Sequence, residues 1–124
     1  MGHLYQFIDD ALSWNESLAT CKQHGALAMA DDAETFNVPL GMYKKYHADN
    51  GTAAGVWLDG TRANATSSWR CEDDTIDCGA NMPWSAGEPN RADSEHCVLL
   101  WYSRTDGVAN YDCNRMMPAI CEVT

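Results

Sequence analysis

The chain has 124 residues, 45% of them hydrophobic and 21% charged, which is the size and composition of one globular domain. Its 18 Asp and Glu against 8 Lys and Arg give a formal net charge of -10. So acidic a chain repels phosphate backbones, which argues against a nucleic-acid partner. No apolar run reaches the roughly 18 residues of a membrane span. We interpret residues 1–3 as start or cloning residues and residues 4–124 as a single domain.

The beginning of the chain predicts a strand followed by a helix. The apolar and aromatic run at residues 4–8 is typical of an edge strand. Ser13 and Glu16 form a capping box, S-x-x-E, which opens a helix that Gly25 ends.

The rest of the chain predicts a second helix and then strands around a long loop. Pro39 interrupts the helical pattern that follows a cap at Asp31, so we expect a kinked or split helix there. Residues 61–90 are polar and rich in Gly and Pro, and long irregular loops of this kind are usually functional. Strands are predicted at residues 55–60, 97–102, 108–113 and 117–123, with a turn at Asp106–Gly107. Helices followed by strands indicate an α+β fold with antiparallel sheets.

The cysteines indicate an oxidising compartment. An even number of cysteines in a small domain favours disulfides and a secreted protein, and the absence of a C-x-x-C pair disfavours a structural zinc site. Six cysteines allow 15 pairings, which spacing alone leaves open. They are Cys21, Cys71, Cys78, Cys97, Cys113 and Cys121.

Several short motifs follow one another along the chain. They are Ser13-Trp14 with Cys21, Val56-Trp57-Leu58, Met82-Pro83-Trp84, Gly87-Glu88-Pro89-Asn90, Glu95-His96-Cys97-Val98, Asn110-Tyr111-Asp112-Cys113-Asn114 and Ala119-Ile120-Cys121-Glu122. In this order they resemble the C-type lectin-like domain family over almost the whole chain. The resemblance implies a disulfide-stapled C-type lectin fold of the short form. It also implies the pairs Cys21–Cys121, Cys97–Cys113 and Cys71–Cys78.

The resemblance also implies a sugar site. In this family a calcium ion in the long loop binds two neighbouring sugar hydroxyls, and the residues that match its ligands here are Glu88, Asn90, Glu95 and Asn110. Their oxygen atoms are the hard ligands that Ca²⁺ prefers. The E-P-N order implies mannose- or glucose-type glycans, and the family pattern implies a cis peptide bond before Pro89. We therefore expect a secreted lectin that recognises glycans on microbial or cell surfaces, with a role in innate immunity.

The chain departs from the family pattern at two of the ligand positions. Where the family has a W-N-D triplet, this chain has Val108-Ala109-Asn110, so Ala109 supplies no side-chain oxygen and Asn110 supplies no charge. Strand alternation places Asp112 on the same face as Asn110, which makes Asp112 the first candidate for a substitute ligand. Asp93 and Asp106 are further candidates because they belong to loop segments.

The departures leave alternatives open. Arg91 and His96 stand where acidic ligands of an auxiliary calcium site would be expected, so we predict that this second site is absent. His96 beside Glu95 raises zinc as an alternative ion, although a solvated histidine is the simpler interpretation. Another alternative is an ion-independent domain that binds protein or microbial surface ligands through a degenerate site. We expect no enzyme, because no nucleophile, base and oxyanion set is recognisable.

Two neighbouring aromatic residues, Trp101 and Tyr102, could stack on sugar rings, but we favour packing for one and exposure for the other, as strand alternation requires. The chain contains no heptad repeat that would specify an oligomer.

Overall fold

The structure is a computed structural model that describes residues 4–30, 33–50, 55–64, 66–72, 75–79, 82–89, 94–101 and 104–123, with only the backbone for residues 33–35, 46–50 and 104–106. The elements in chain order are β1 (Leu4–Leu12), α1 (Trp14–Lys22), β2 (Gly25–Leu27), α2 (Ala33–Asn50), β3 (Gly55–Thr61), β4 (Arg70–Cys71), β5 (Ile76–Asp77), β6 (Cys97–Trp101), β7 (Arg104–Tyr111) and β8 (Met117–Val123). The α+β C-type lectin fold expected from the sequence is confirmed.

Helix α1 begins at the predicted capping box. The Ser13 hydroxyl accepts a hydrogen bond from the Glu16 amide at 3.2 Å, and the Glu16 carboxylate accepts one from the Ser13 amide at 2.9 Å. Two amides at the helix start are thereby satisfied by side chains. Helix α2 is continuous through Pro39, so the interruption that we considered there does not split it.

The strands form a sheet with β3 near its centre. Strand β8 pairs with β1 and β2 on one side, and β3 pairs with β6, which in turn pairs with β7. These pairings are antiparallel, whereas β3 and β8 pair in parallel at Trp57 and Ala119. The sheet is therefore mixed, and β3 links the terminal strands to the strands that follow the long loop.

The sheet separates two apolar clusters. Along β3, Val56 and Leu58 lie in a first cluster together with residues of α2, while Trp57 between them lies in a second cluster with Trp14 of α1. Each of these three β3 side chains is fully buried, as expected for a strand covered on both faces. Neighbouring side chains on β6 and β7 follow the same alternation, which decides where the candidate ligands can point.

The long loop is partly regular. Strands β4 and β5 form a short hairpin that is closed by the Cys71–Cys78 disulfide. Farther along, the amide of Ser85 donates to the carbonyl of Val108 at 2.8 Å, and the amide of Val108 donates to the carbonyl of Pro83 at 2.8 Å. The loop is thus hydrogen-bonded directly to β7.

The turn predicted at Asp106–Gly107 is wrong. Strand β7 runs from Arg104 to Tyr111 and passes through both residues. Gly107 is needed for another reason, because a Cβ atom at this position would collide with the backbone of Pro83, Trp84 and Ser85. The glycine therefore permits the close approach of the long loop to β7.

Three disulfides hold the fold together, and they are the pairs that the resemblance implies: Cys21–Cys121, Cys71–Cys78 and Cys97–Cys113. The first has a sequence separation of 100 residues, and closing a loop of this length contributes about 4–5 kcal/mol in the chain-entropy account. Within the described ranges, no helix is both long and apolar enough to cross a membrane.

Candidate functional site

The first candidate ligand, Glu88, lies at the end of the loop segment that is bonded to β7. The Glu88 amide donates to the carbonyl of Ser85 at 2.9 Å, and Ser85 is itself bonded to Val108, two residues before Asn110. The Glu88–Pro89 peptide bond is cis, as the resemblance suggested. Glu88 is half-buried as a whole residue, and its carboxylate oxygen Oε2 is buried.

Two further candidates, Glu95 and Asn110, contact each other. Asn110 is 2% exposed, and its side-chain Nδ2 donates to the backbone carbonyl of Glu95 at 2.8 Å. Glu95 is 9% exposed and precedes β6, whose Val98 is paired with Asn110 across the strands. The Cys97–Cys113 disulfide joins the start of β6 to the segment that follows β7. Two predicted ligands therefore meet in one polar, buried place, through the side chain of Asn110 and the backbone carbonyl of Glu95.

The suggested substitute ligand, Asp112, opens onto the same small pocket as Glu95. This pocket has a volume of about 260 Å³ and is lined by Ser94, Glu95, Tyr111, Asp112 and Arg115. Asp112 also accepts a hydrogen bond from the amide of Asn114 through Oδ1 at 2.9 Å, which fixes the carboxylate in a local turn. Glu95 and Asp112 thus line a shared space, while the role of Asp112 as a substitute ligand stays a prediction.

The side chain of Arg115 lines the same pocket. The Arg115 guanidinium lies over the Tyr111 ring, 5.6 Å from its centroid, and donates to the Tyr111 hydroxyl through Nε at 3.3 Å and Nη2 at 3.1 Å. These hydrogen bonds raise the pKa of Arg115 further above its usual value. Trp101 packs against the same Tyr111 ring with the ring centroids 4.8 Å apart. Arg115 therefore brings a positive charge to the pocket that Glu95 and Asp112 line.

Ala109 is directed away from this site. It is 1% exposed and belongs to the second apolar cluster, where its strand partner Leu99 also lies. The missing oxygen at this position is therefore not a gap in the polar site, because the side chain packs into the opposite face of the sheet. Its neighbour Asn110 points to the other face, as alternation along a strand requires.

His96 stands where the family pattern would require an acidic ligand of an auxiliary calcium site, and its hydrogen-bonding partner is an arginine. The Arg62 Nε donates to His96 Nδ1 at 3.1 Å, and Arg62 Nη2 donates to the Glu95 carbonyl at 3.3 Å. Arginine can only donate, so Nδ1 must be the unprotonated ring nitrogen. A guanidinium at this position disfavours a second cation, which argues against zinc at Nδ1 and is consistent with the predicted loss of the auxiliary site.

Several expected site residues lie outside the described part of the chain. These are Asn90, Arg91, Asp93 and Tyr102, and the side chain of Asp106 is likewise not described. Among the described residues, no three His, Cys, Asp or Glu side chains are grouped closely enough to hold a metal ion. The oxygen atoms of Glu88, Glu95, Asn110 and Asp112 nevertheless have the chemistry that Ca²⁺ requires.

Sequence reasoning missed the contacts of Arg62 and Arg115. Both side chains reach residues of the site, and both stack on an aromatic ring, Arg62 on Trp69 at 4.5 Å and Arg115 on Tyr111. Arg115 and Tyr111 are four residues apart, so this contact leaves a local signal. Arg62 and His96 are 34 residues apart in the sequence, and no motif indicates that they are in contact.

Comparison with known proteins identifies relatives of this chain. It is 25% identical over 121 residues to C-type mannose receptor 2 of Mus musculus, which covers 95% of this chain and 8% of the receptor. The chain therefore spans only about 8% of the length of that relative. It is 28% identical over 104 residues to a C-type lectin of Thrasops jacksonii, which covers 81% of this chain and 63% of the relative.

Solved structures show the same fold. Human lithostathine superposes with a TM-score of 0.82 at 17% identity, covering 100% of this chain and 85% of the other. The C-type lectin domain of murine dendritic cell inhibitory receptor 2, solved in complex with an N-glycan, gives a TM-score of 0.71 at 25% identity, covering 98% and 91%. The family model described as "Lectin C-type domain" matches residues 10–123, almost the entire chain. The chain belongs to the lectin C-type domain family, whose fold is one that binds carbohydrate.

Proposed function

We propose that this domain recognises mannose- or glucose-type glycans through a calcium ion held in the long loop. The observation that carries the proposal is the 2.8 Å hydrogen bond between Asn110 and Glu95, which joins two expected ligands in a buried polar place. The N-glycan in the complex of the murine receptor domain supports a glycan as the ligand class. Binding, rather than catalysis, is the role that these groups suit.

The residues that would hold calcium are Glu88, Asn90, Glu95 and Asn110, with Asp112 in place of the ligand that Ala109 lacks. Glu95 and Asp112 support this assignment because they line one pocket. When bound, calcium would provide direct coordination for two neighbouring sugar hydroxyls. The side-chain oxygens would accept hydrogen bonds from these hydroxyls, and the Asn90 amide would donate to them.

The second candidate function is ion-independent binding of protein or microbial surface ligands by the same fold. Two observations favour it. Ala109 packs in an apolar cluster instead of facing the ligands, and the Arg115 guanidinium lines the pocket of Glu95 and Asp112. In this case Arg115, a side chain of the domain itself, provides the positive charge that calcium provides in the first proposal.

Three disulfides suit an oxidising compartment, and we propose that the domain, residues 4–124, acts outside the cell on glycans of microbial or cell surfaces. A protein bearing such a domain is suited to innate immunity.

A calcium titration distinguishes the two functions. We expect millimolar Ca²⁺ to raise the melting temperature of the parent domain relative to the same protein in chelator, because a ligand at 100 times its Kd stabilises a fold by about 2.7 kcal/mol. Calorimetry with a mannose-terminated glycan should show binding in calcium and none in chelator. Galactose should compete poorly, and Zn²⁺ should not replace Ca²⁺.

Glu95→Gln tests the assigned ligand, and Glu72→Gln is its control, because Glu72 is exposed and the same charge is removed. We expect Glu95→Gln to weaken calcium binding at least tenfold and Glu72→Gln to change it less than twofold. If calcium leaves both the melting temperature and the glycan titration unchanged, the calcium proposal is wrong and the ion-independent function stands.

A further inference from the structure

A groove next to the candidate sugar site has an unusual lining. It has a volume of about 530 Å³ and is formed by Thr61, Arg62, Ala63, Ser67, Ser68 and Arg70. A volume of this size is within the roughly 300–1,000 Å³ of ordinary ligand pockets. The lining contains two arginines and three hydroxyl groups but no carboxylate.

This composition contrasts with the charge of the chain. The whole chain has 18 Asp and Glu but only 8 Lys and Arg, so a basic side chain would be expected to have acidic neighbours. Among the described residues, no carboxylate forms an ion pair with Arg62. The second arginine of the groove, Arg70, lies between Thr61 and Asp77 of the neighbouring strands. The positive charge that an anion would balance in this groove is therefore that of Arg62.

Arg62 is held in a defined position. Trp69 is buried and covers the guanidinium at 4.5 Å from the ring centroid, while His96 Nδ1 and the Glu95 carbonyl accept from its Nε and Nη2. A guanidinium fixed by stacking and hydrogen bonds loses little further entropy when it binds a ligand.

Donors remain for such a ligand. A guanidinium has five N–H groups, and the hydrogen bonds made within the described part of the chain use one on Nε and one on Nη2. Of the remaining N–H groups, one on Nη1 and one on Nη2 can together bind an oxyanion in a bidentate manner. Ser67 and Ser68 add hydroxyl donors, and neither makes a side-chain hydrogen bond to another described residue.

From this geometry we propose that the groove is a binding site for a tetrahedral oxyanion, the sulfate or phosphate ester group of a glycan, with Arg62 as the bidentate anchor and Arg70, Ser67 and Ser68 as further donors. The identification of the carrier as a glycan rests on the proposed function. The anion site itself does not, because no residue in its lining is a candidate calcium ligand.

The two sites are physically connected. Arg62 donates to the backbone carbonyl of Glu95, and Asn110 donates to the same carbonyl from the other site. A sugar bound beside Glu95 could therefore place an anionic substituent in the groove. The pair of sites would select sulfated or phosphorylated glycans over neutral ones.

The experiment first uses the anions alone. In chelator, where the calcium site cannot contribute, inorganic sulfate and then inorganic phosphate are titrated into ¹⁵N-labelled protein while the arginine Nε–Hε resonances are followed. We expect saturable shifts of the Arg62 resonance, which report on this side chain directly. Calorimetry with dextran sulfate, dextran phosphate and unmodified dextran then distinguishes the two esters and the neutral polymer.

Four variants make the result specific. Arg62→Gln and Ser68→Asp should each weaken binding of the preferred ester at least tenfold, whereas Lys44→Gln, an equal loss of charge on an exposed face of α2, should change it less than twofold. Ser68→Asn is the neutral control for Ser68→Asp, and Ser68 is exposed, so this pair remains informative if Arg62→Gln fails to fold.

The inference is wrong if the esters bind no more tightly than unmodified dextran, or if Ser68→Asp binds like Ser68→Asn. Failure of mannose binding in calcium, with ester binding in chelator retained, would reject the proposed function and leave the anion site in place.

Discussion

Asn110 offers the sharpest test of how the candidate site is stabilised. Its side chain is 2% exposed, and its Nδ2 donates to the Glu95 carbonyl at 2.8 Å. Asn110→Asp keeps the shape of the side chain but replaces this donor with a carboxylate, which can only accept. In the absence of an ion, a negative oxygen would therefore face the negative end of a carbonyl dipole.

The magnitude follows from these contacts. Leaving a buried acceptor without its donor costs about 1–3 kcal/mol. The Glu95 carbonyl keeps a second donor, Arg62 Nη2 at 3.3 Å, so we expect about 1–2 kcal/mol. For a domain of this size each kcal/mol lowers the melting temperature by about 3–6 °C. The introduced carboxyl should also have a raised pKa, because burial disfavours its charged form.

The pH dependence has a definite sign. A raised folded-state pKa means that the folded state binds the proton more tightly than the unfolded state. The variant should therefore recover stability as the pH falls through the folded-state pKa, since a protonated carboxyl can donate to the Glu95 carbonyl again. Calcium should reduce the deficit at neutral pH, because the new charge increases the affinity of the site for the ion.

The assay is thermal unfolding in chelator and in millimolar calcium at pH 7.5 and pH 5. Asn37→Asp is the matched control, because it makes the same chemical change at an exposed position of α2. We expect Asn110→Asp to be less stable than the parent in chelator at pH 7.5, and to approach it in calcium or at pH 5. Equal stability of Asn110→Asp and Asn37→Asp in chelator at pH 7.5 would refute the role of the hydrogen bond.

Two further predictions concern neighbouring positions in the sheet. Ala109→Asn should destabilise the fold by about 1–3 kcal/mol without tightening calcium binding, because it inserts an amide into the second apolar cluster, and tighter calorimetric binding would refute this placement. Gly60→Ala should cost about 1–3 kcal/mol in urea unfolding, because Gly60 has φ +135° and a Cβ atom there would lie 2.5 Å from Val98 Cγ2. Gly41→Ala is its control, with nothing within 4 Å of the added atom, and equal effects of the two alanines would contradict the explanation.

Local chemistry made parts of the fold predictable. The capping box of Ser13 and Glu16 lies within four consecutive residues, so its hydrogen bonds could be inferred before the structure was known. The turn at Asp106–Gly107 was predicted from equally local evidence and is wrong. Gly107 is required by the approach of a distant loop, and a two-residue pattern cannot distinguish this use of glycine from a turn.

The candidate site likewise contains features that the sequence predicts and features that it does not. The family motifs led us to expect Asn110 and Glu95 in one site, and a hydrogen bond from the Asn110 side chain to the Glu95 backbone carbonyl joins the two residues, while their role as ligands stays a prediction. The arginines were not foreseen, because a guanidinium is long enough to reach several surroundings and its partner is selected by tertiary packing. Arg62 reaches His96 and Glu95 across more than thirty residues, and only the assembled sheet brings them together.

Strand geometry explains how β7 limits the chemistry of this domain. In an extended strand, consecutive side chains point to opposite faces, and here Ala109 faces the second apolar cluster while Asn110 faces Glu95. Consecutive residues therefore cannot both face the polar site while the strand continues through them. Because β7 runs to Tyr111, Ala109 is a packing residue and only Asn110 of this pair is available to the polar site. Asp112 follows the end of the strand and lines a pocket with Glu95, so it is the residue to test as a further ligand.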